Sequence, residues 1–375
     1  MKNSIILFLA LIFFYSCCEK KQSIPLLDAA AFATTVDGNK VSLYNMDSGN
    51  GVYIQVTNLG ARVVTLFTPD KNGKHEDLAL GYENIERYLN NTGERFIGPV
   101  VGRYANRIAN GQFELDGVVY NVPINNNGQS LHGGLKGLDM VVWNVDSATP
   151  NEIQFSYISP DGEEGYPGTV TYKMVYSLNS NNEFKITYAA TTDKPTVINL
   201  SHHGFFNLKG AGNGTITDHI LMINASHTTP VNEVLIPTGE IASVEGTPFD
   251  FRIPTAIGAR VNDDNEQLRN GGGYDHNWVL DKTTDGVELA ASLYEPVSGR
   301  FMEVWTDQPG IQFYCGNFFD GKTNDKYGKP MKYRESVALE TQKFPDSPNQ
   351  PNFPTTRLNP DETYTHTCIY KFLVK

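Results

Sequence analysis

Apolar and polar residues alternate with a period of two along much of the chain. The stretch GVYIQVTN sets Val52, Ile54 and Val56 on one side, and TVTYKMVYSL sets Val170, Tyr172, Met174, Tyr176 and Leu178 on one side. EFKITYAA repeats the pattern with Phe184, Ile186 and Tyr188. Successive side chains of a strand point to opposite faces, so these runs predict strands with one buried face. Asp116-Gly117 lies between the two β-rich arms of FELDGVVYNV and predicts a tight hairpin. Only YENIERYLNN and NDDNEQLRN carry a helical pattern, and both are short. With 34 Gly and 20 Pro concentrated in the intervening loops, the pattern predicts an all-β fold, a large antiparallel β-sandwich. No fixed-period repeat points to a propeller or solenoid. No shift in composition divides the chain, so residues 31–375 read as a single domain.

The N-terminus has a different pattern. Lys2 precedes an unbroken apolar run, Ile5 to Tyr15, which ends at Ser16, Cys17 and Cys18. A basic residue, a short apolar core and a small residue define a secretory signal over residues 1–16, and the run is too short to span a bilayer comfortably. FYSC resembles a bacterial lipobox, in which Cys17 becomes the lipidated first residue of the mature chain. Residues 17–30 then form a tether, and the protein is exported to the periplasm or outer membrane, touching the membrane only through its lipid. Export permits disulfides. Cys315 and Cys368 nevertheless sit in apolar strand contexts, where a cysteine acts as a small free hydrophobe.

Composition narrows the partners. The formal charge of -12 gives no basic footprint for nucleic acid, while a neutral polar ligand is compatible with it. At 40% hydrophobic and 375 residues the chain can bury a large core without a second subunit, and a monomer is expected.

Five polar islands interrupt the strand pattern: VGRYANRIANG, NNGQSLHGGLKG, TVINLSHHGFFNL, GGGYDHNWVL and SVALETQKFPDSPNQPNFP. In the third, an extended chain puts Ile198, Leu200 and His202 on one face and Asn199, Ser201 and His203 on the other. The two histidines therefore cannot both reach one small site, and His203 lies on the polar side. Two ordinary buried histidines with hydrogen-bond partners would fit the segment equally well. Glycines beside three of the islands allow close approach of backbone to a ligand.

Taken together, NRI, SLHGG, ISPDGEEGYPG, GYDHN, PGIQFYCGNF and LETQKFPDSPNQPNFP, in this order, resemble the signatures of the aldose 1-epimerase (galactose mutarotase) family. The resemblance implies a β-sandwich of the galactose mutarotase-like type that interconverts the α and β anomers of free aldohexoses. That reaction takes a proton from the anomeric hydroxyl and gives one to the ring oxygen; the ring then opens, turns and recloses. A carboxylate and an imidazole suffice, and no cofactor or metal is required. By resemblance Glu340 is the base and His203 the acid, while Asn106, Arg107, His132, Asp275 and Gln312 hold the sugar. This chain departs from the family's usual residue at His202. Arg103 has no counterpart and reads as structural, and His276 should point away from Asp275. Among Phe205, Phe206 and Trp278, one is a candidate to face a sugar ring. The acidic loop VNDDNEQ offers oxygens suited to a structural Ca²⁺, although such loops are more commonly solvated. The alternatives are a glycosidase or lyase using Asp275 and Glu340 as its carboxylate pair, and a non-catalytic carbohydrate-binding lipoprotein.

Overall fold

A computed structural model describes residues 24–90 and 93–375. The segment expected to be a signal, with Cys17, lies outside the described residues.

Three antiparallel sheets carry the fold. The largest has nine strands, and its centre is the meander Glu152–Ser159, Val170–Leu178, Glu183–Thr192, continued by Tyr364–Val374, Arg300–Thr306 and Glu288–Tyr294. A six-stranded sheet runs Phe205–Phe206, Val337–Gln342, Gly310–Tyr314, Asp275–Val279, His227–Thr229, Ala242–Ser243. A four-stranded sheet spans Leu43–Asp47 to His75–Asp77. The expected alternation holds on the long strands: Tyr172, Met174 and Tyr176 of one, and Phe184 and Ile186 of the next, are buried, while Lys173 and Lys185 are exposed. They join Trp278, Phe313 and Leu339 of the six-stranded sheet in one continuous core. That assignment leaves the opposite face of the six-stranded sheet free for polar side chains.

Local turn chemistry follows the sequence. Asp116 and Gly117 both take positive φ (54° and 76°), the conformation a two-residue hairpin needs between Gln112–Leu115 and Val118–Asn121. The two helical patterns form Ile85–Leu89 and Glu266–Gly271. In the acidic loop, Asn265 caps the second helix by accepting from the Gln267 and Leu268 N–H groups, and Asp264 pairs with Arg269. Cys315 and Cys368 are free thiols, both buried, and burial pushes each up to about 12.

Two expectations are corrected. The chain is docked before residue 31. The Gln55 side chain accepts from Leu27 N–H at 2.8 Å and donates to Leu27 C=O at 3.1 Å, and Asp28 caps the turn Ala29–Phe32. This cover explains why Tyr53–Thr57, read as a one-sided strand, also buries Gln55. The second correction concerns the histidine island, which is not one strand. It breaks into Thr196–Val197, Ser201–His202 and Phe205–Phe206, each pairing with a different partner.

Candidate active site

The polar face of the six-stranded sheet forms the floor of a cavity of about 300 Å³. Strand register places its groups. Asn277, Gln312 and Glu340 are directly opposed on three neighbouring strands, and Asp275 stands two residues before Asn277 on the same face. The alternate residues Trp278, Phe313 and Leu339 are in the core. Period-two alternation therefore delivers carboxylates to the cavity and apolar groups beneath it from the same strands.

His203 enters from the side. Its N–H donates to Pro99 C=O at 2.8 Å and its C=O accepts from Gly98 N–H at 2.9 Å, which fixes the backbone. Its Nε2 lies 3.5 Å from Glu340 Oε1. His202 turns the other way, among the rings of Tyr176, Phe184 and Tyr370. The face argument from sequence thus holds at these two residues even though the long strand does not.

The wall facing His203 is built from the first two islands. Asn106 (φ 65°) and His132 (φ 53°) exchange hydrogen bonds: His132 N–H donates to Asn106 C=O at 3.0 Å, and Asn106 N–H donates to His132 Nδ1 at 3.1 Å. An Nδ1 that accepts leaves the proton of a neutral imidazole on Nε2, so His132 offers a donor to the cavity. The following Gly133 has φ 93°, and a Cβ there would fall 2.0 Å from Gly102 O, which is why the pattern requires glycine. The Asn106 Oδ1 is engaged locally, accepting from Arg107 N–H at 2.9 Å.

Burial decides the electrostatics. Desolvation lowers His203 to about 3, and it holds His132 well below the ordinary histidine value with help from the neighbouring His203 and Arg107 charges. Desolvation raises Glu340 well above the carboxylate range; the Asp275 charge adds to this and Arg107 opposes it. Asp275 is also raised by burial, against the pull of Arg107 and the Gln312 hydrogen bond. In the sugar-free site the neutral forms of both Glu340 and His203 are favoured, because two lone buried charges would be costly.

Asn106, Arg107, His132, His203, Asp275 and Glu340 all line the cavity. Gln312 does not line it. Gln312 donates from Nε2 to Asp275 Oδ1 at 2.7 Å, so it reaches the cavity only through that carboxylate. Arg103 is structural, donating to Pro167 C=O and Ser159 Oγ, both at 2.7 Å. His276 packs against Phe249 on the far face and accepts from Asp275 N–H. Of the three aromatic candidates, Phe205 lines the cavity, while Phe206 and Trp278 belong to the core. Sequence reasoning missed Glu94, Phe96, Tyr314 and Phe318, which also line it. Glu94 is half-buried, with its carboxyl raised by desolvation.

One atom each from His132, His203 and Glu340 lie within 4.8 Å of one another, a spacing that could hold a metal ion. The Asn106 N–H argues against His132 as a ligand. A metal on Nε2 would need that nitrogen deprotonated, and Nδ1 would then carry a hydrogen facing the Asn106 hydrogen.

An antiparallel β-sandwich whose small pocket gathers carboxylates, imidazoles and one guanidinium is suited to binding a neutral polyhydroxylated ligand and moving its protons. The comparisons with known proteins make this specific. The aldose 1-epimerase family model matches residues 42–371. Galactose mutarotase from Bos taurus is 43% identical over 321 residues, covering 86% of this chain and 91% of that protein. Aldose 1-epimerase from Escherichia coli (strain K12) is 33% identical over 345 residues, covering 92% of this chain and 98% of that protein. Among solved structures, the GalM/aldose epimerase homologue from C. elegans superposes with a TM-score of 0.80 at 30% identity, covering 89% of this chain and 99% of that one. The chain belongs to the aldose 1-epimerase family, and it is an isomerase of α and β sugar anomers. The glycosidase, lyase and non-catalytic readings are set aside.

Proposed function

We propose that the substrates are free galactose and glucose, with Glu340 and His203 as the proton-transferring pair. The observation that carries this reading is the 3.5 Å approach of His203 Nε2 to Glu340 Oε1 inside a buried cavity sized for one sugar ring. Glu340 takes the anomeric proton, His203 gives one to the ring oxygen, and the two exchange roles on closure. The cycle needs one proton shared over the pair. Burial rests that proton on Glu340 before the sugar arrives, and it must pass to His203 for Glu340 to begin as base. Asp275, Arg107 and the Nε2–H of His132 hold hydroxyls, Asn106 orients His132, and Gln312 orients Asp275. These donors and acceptors satisfy a neutral polyol without requiring a charge on it.

No metal or cofactor enters this scheme. Polarimetry of freshly dissolved α-galactose and α-glucose, run in EDTA, tests it. Enzyme-dependent acceleration to the equilibrium rotation is expected, and no acceleration of either sugar would overturn the reading. The galactose mutarotase names of the mammalian relatives support galactose as a substrate. Export and anchoring through lipidated Cys17, supported by the N-terminal sequence pattern, and a monomeric state, supported by a chain long enough to bury its own core, complete the proposal.

A further inference from the structure

Arg95 stands behind the wall of the cavity and does not line it. Its Nε donates to Asp139 Oδ2 at 2.7 Å and its Nη2 to Asp139 Oδ1 at 2.9 Å, a two-point pair in which the carboxylate is fully buried. The third nitrogen, Nη1, donates to Gly134 C=O at 3.1 Å, two residues beyond His132. We propose that Arg95 is a positioning residue: locked on Asp139, it holds the His132 turn and the Phe96 ring as one unit and keeps the His132 Nε2–H aimed into the cavity. The inference rests on the function proposed above, in which that N–H holds a sugar hydroxyl.

The turn needs holding. His132, Gly133 and Gly134 take positive φ in succession, 53°, 93° and 103°. Left-handed backbone at a residue that carries a side chain persists only where its surroundings fix it. Asn125 does part of this. It accepts from Leu131 N–H and donates to Leu131 C=O, and its Nδ2 also reaches Gly134 C=O at 2.9 Å. Arg95 donates to that same carbonyl and connects it to Asp139, beyond the turn.

A second connection runs through rings. The Arg95 guanidinium lies over Phe96, 4.9 Å from the ring centroid, and Phe96 packs on His132 at 4.6 Å and 59°. His132 in turn meets His203 edge-on at 5.0 Å and 85°. The imidazole is thus fixed at Nδ1 by the Asn106 N–H and on its ring by Phe96, and Nε2 is left for the sugar. Fully buried Arg62 donates to Arg95 C=O and to Asp139 C=O, both at 3.1 Å, so the backbones of the pair are tied as well. A planar fork with a face to spare for Phe96 suits this place, and an ammonium offers neither. The Arg95 charge acts in the same sense. After burial and the His203 and Arg107 charges, it adds to what keeps His132 below the ordinary histidine value and neutral.

The test uses full-length protein, α-galactose, and magnetic resonance of isotope-labelled histidines. Wild type should show His132 as the Nε2–H tautomer, its signals assigned by their loss in His132→Asn. Arg95→Met should mix the two tautomers and raise KM about tenfold, as for one lost charge-assisted hydrogen bond, with kcat within about twofold of wild type. Arg95→Lys keeps the charge without the fork and should raise KM about threefold. In the His132→Asn background, Arg95→Met should change KM by less than about twofold, because it acts through that imidazole. A residue that only stabilises the fold would lower the melting temperature and move none of these. An unchanged KM in folded Arg95→Met would overturn the clamp, and Arg95→Lys decides the point if the Met variant does not fold. Equal rises in KM with and without His132, or an unmoved tautomer, would overturn it too. A protein that shows the tautomer change yet turns over no galactose would keep the clamp and lose the proposed function.

Discussion

His203 Nε2 stands 3.5 Å from Glu340 Oε1, although the two residues are far apart in sequence and His203 sits between two short strands and not on one. What brings them together is the pairing of Phe205–Phe206 with Val337–Gln342, and the Ser201 hydroxyl, which donates to Thr341 C=O at 3.0 Å, adds a second tie to the Glu340 strand. Glu340→Gln keeps that geometry and removes the basic oxygen. Its kcat should fall by about 10²–10⁴, the range for losing a general base, with KM little changed. Mutarotation near the wild-type rate would exclude Glu340 from the chemistry.

The adjacent histidines should separate cleanly in mutagenesis. His203→Asn removes a proton-transferring group and should lower kcat strongly. His202→Asn, in an aromatic shell remote from the cavity, should leave kcat nearly intact and cost on the order of 1 kcal/mol of stability. Burial lowers His202 to about 3, below the unfolded value near 6.5, so as pH falls from about 6.5 toward 3 the unfolded chain takes up the proton first. This residue alone should then contribute a loss of about 1.4 kcal/mol per pH unit in that window, and His202→Asn should flatten the slope of stability against pH by that amount. Equal slopes in urea titrations of the two proteins would contradict its burial as a neutral group.

The pH profile of kcat/KM should lack an ordinary histidine inflection. With His203 near 3, its titration falls well below neutrality, and the alkaline limb is set by the raised Glu340. The Asp275 charge helps raise Glu340, so Asp275→Asn should move the alkaline limb to lower pH; Arg107 acts in the opposite direction, so Arg107→Gln should move it higher. The values read belong to the coupled pair. A limb centred near 6.5 that vanishes in His203→Asn would refute this assignment.

Asp275 and Gln312 should behave as one unit. Asp275→Asn should raise KM and reduce kcat/KM by about ten- to a hundredfold, the cost of removing a buried charge-assisted hydrogen bond. Gln312→Leu should give a smaller loss in the same direction, and in the Asp275→Asn background it should add little, because its Nε2 acts on Asp275 Oδ1. Additive losses across the double-mutant cycle would mean that Gln312 touches the sugar itself.

Membrane attachment should depend on Cys17 alone. Cys17→Ser should abolish labelling by palmitate and release the protein from the membrane fraction, whereas Cys18→Ser should change neither. Labelled, membrane-bound Cys17→Ser protein would disprove the lipobox.

Much of the fold could be read because its long strands obey strict alternation, which burial on one face enforces over Val170–Leu178 and Glu183–Thr192. The Asp116-Gly117 hairpin was legible because few dipeptides adopt two positive φ angles. The histidine segment was less so. Its three two-residue strands answer to pairing partners 100 or more residues away, which local pattern does not encode. The cavity residues in NRI, SLHGG and LETQKF stood out as polar groups in apolar surroundings. Glu94 and Phe318 did not, because they sit on loops without periodicity and reach the cavity only through tertiary packing. The resemblance makes Gln312 a direct sugar ligand, whereas its side chain stands one layer back and donates to Asp275 Oδ1, a depth that a motif does not encode.

Cys315 directly follows the Gly310–Tyr314 strand of the six-stranded sheet and Cys368 lies on the Tyr364–Val374 strand of the nine-stranded sheet, each deep in the core and each with its thiol pushed up to about 12. A thiol that is neither exposed nor ionised can be alkylated only when its own sheet opens. The molecule therefore carries two internal reporters, one under the six-stranded floor of the cavity and one in the nine-stranded sheet. Their separate alkylation rates would reveal whether the two layers come apart together or in succession. Neither thiol is committed to a cross-link, so the described fold does not depend on oxidation to hold together.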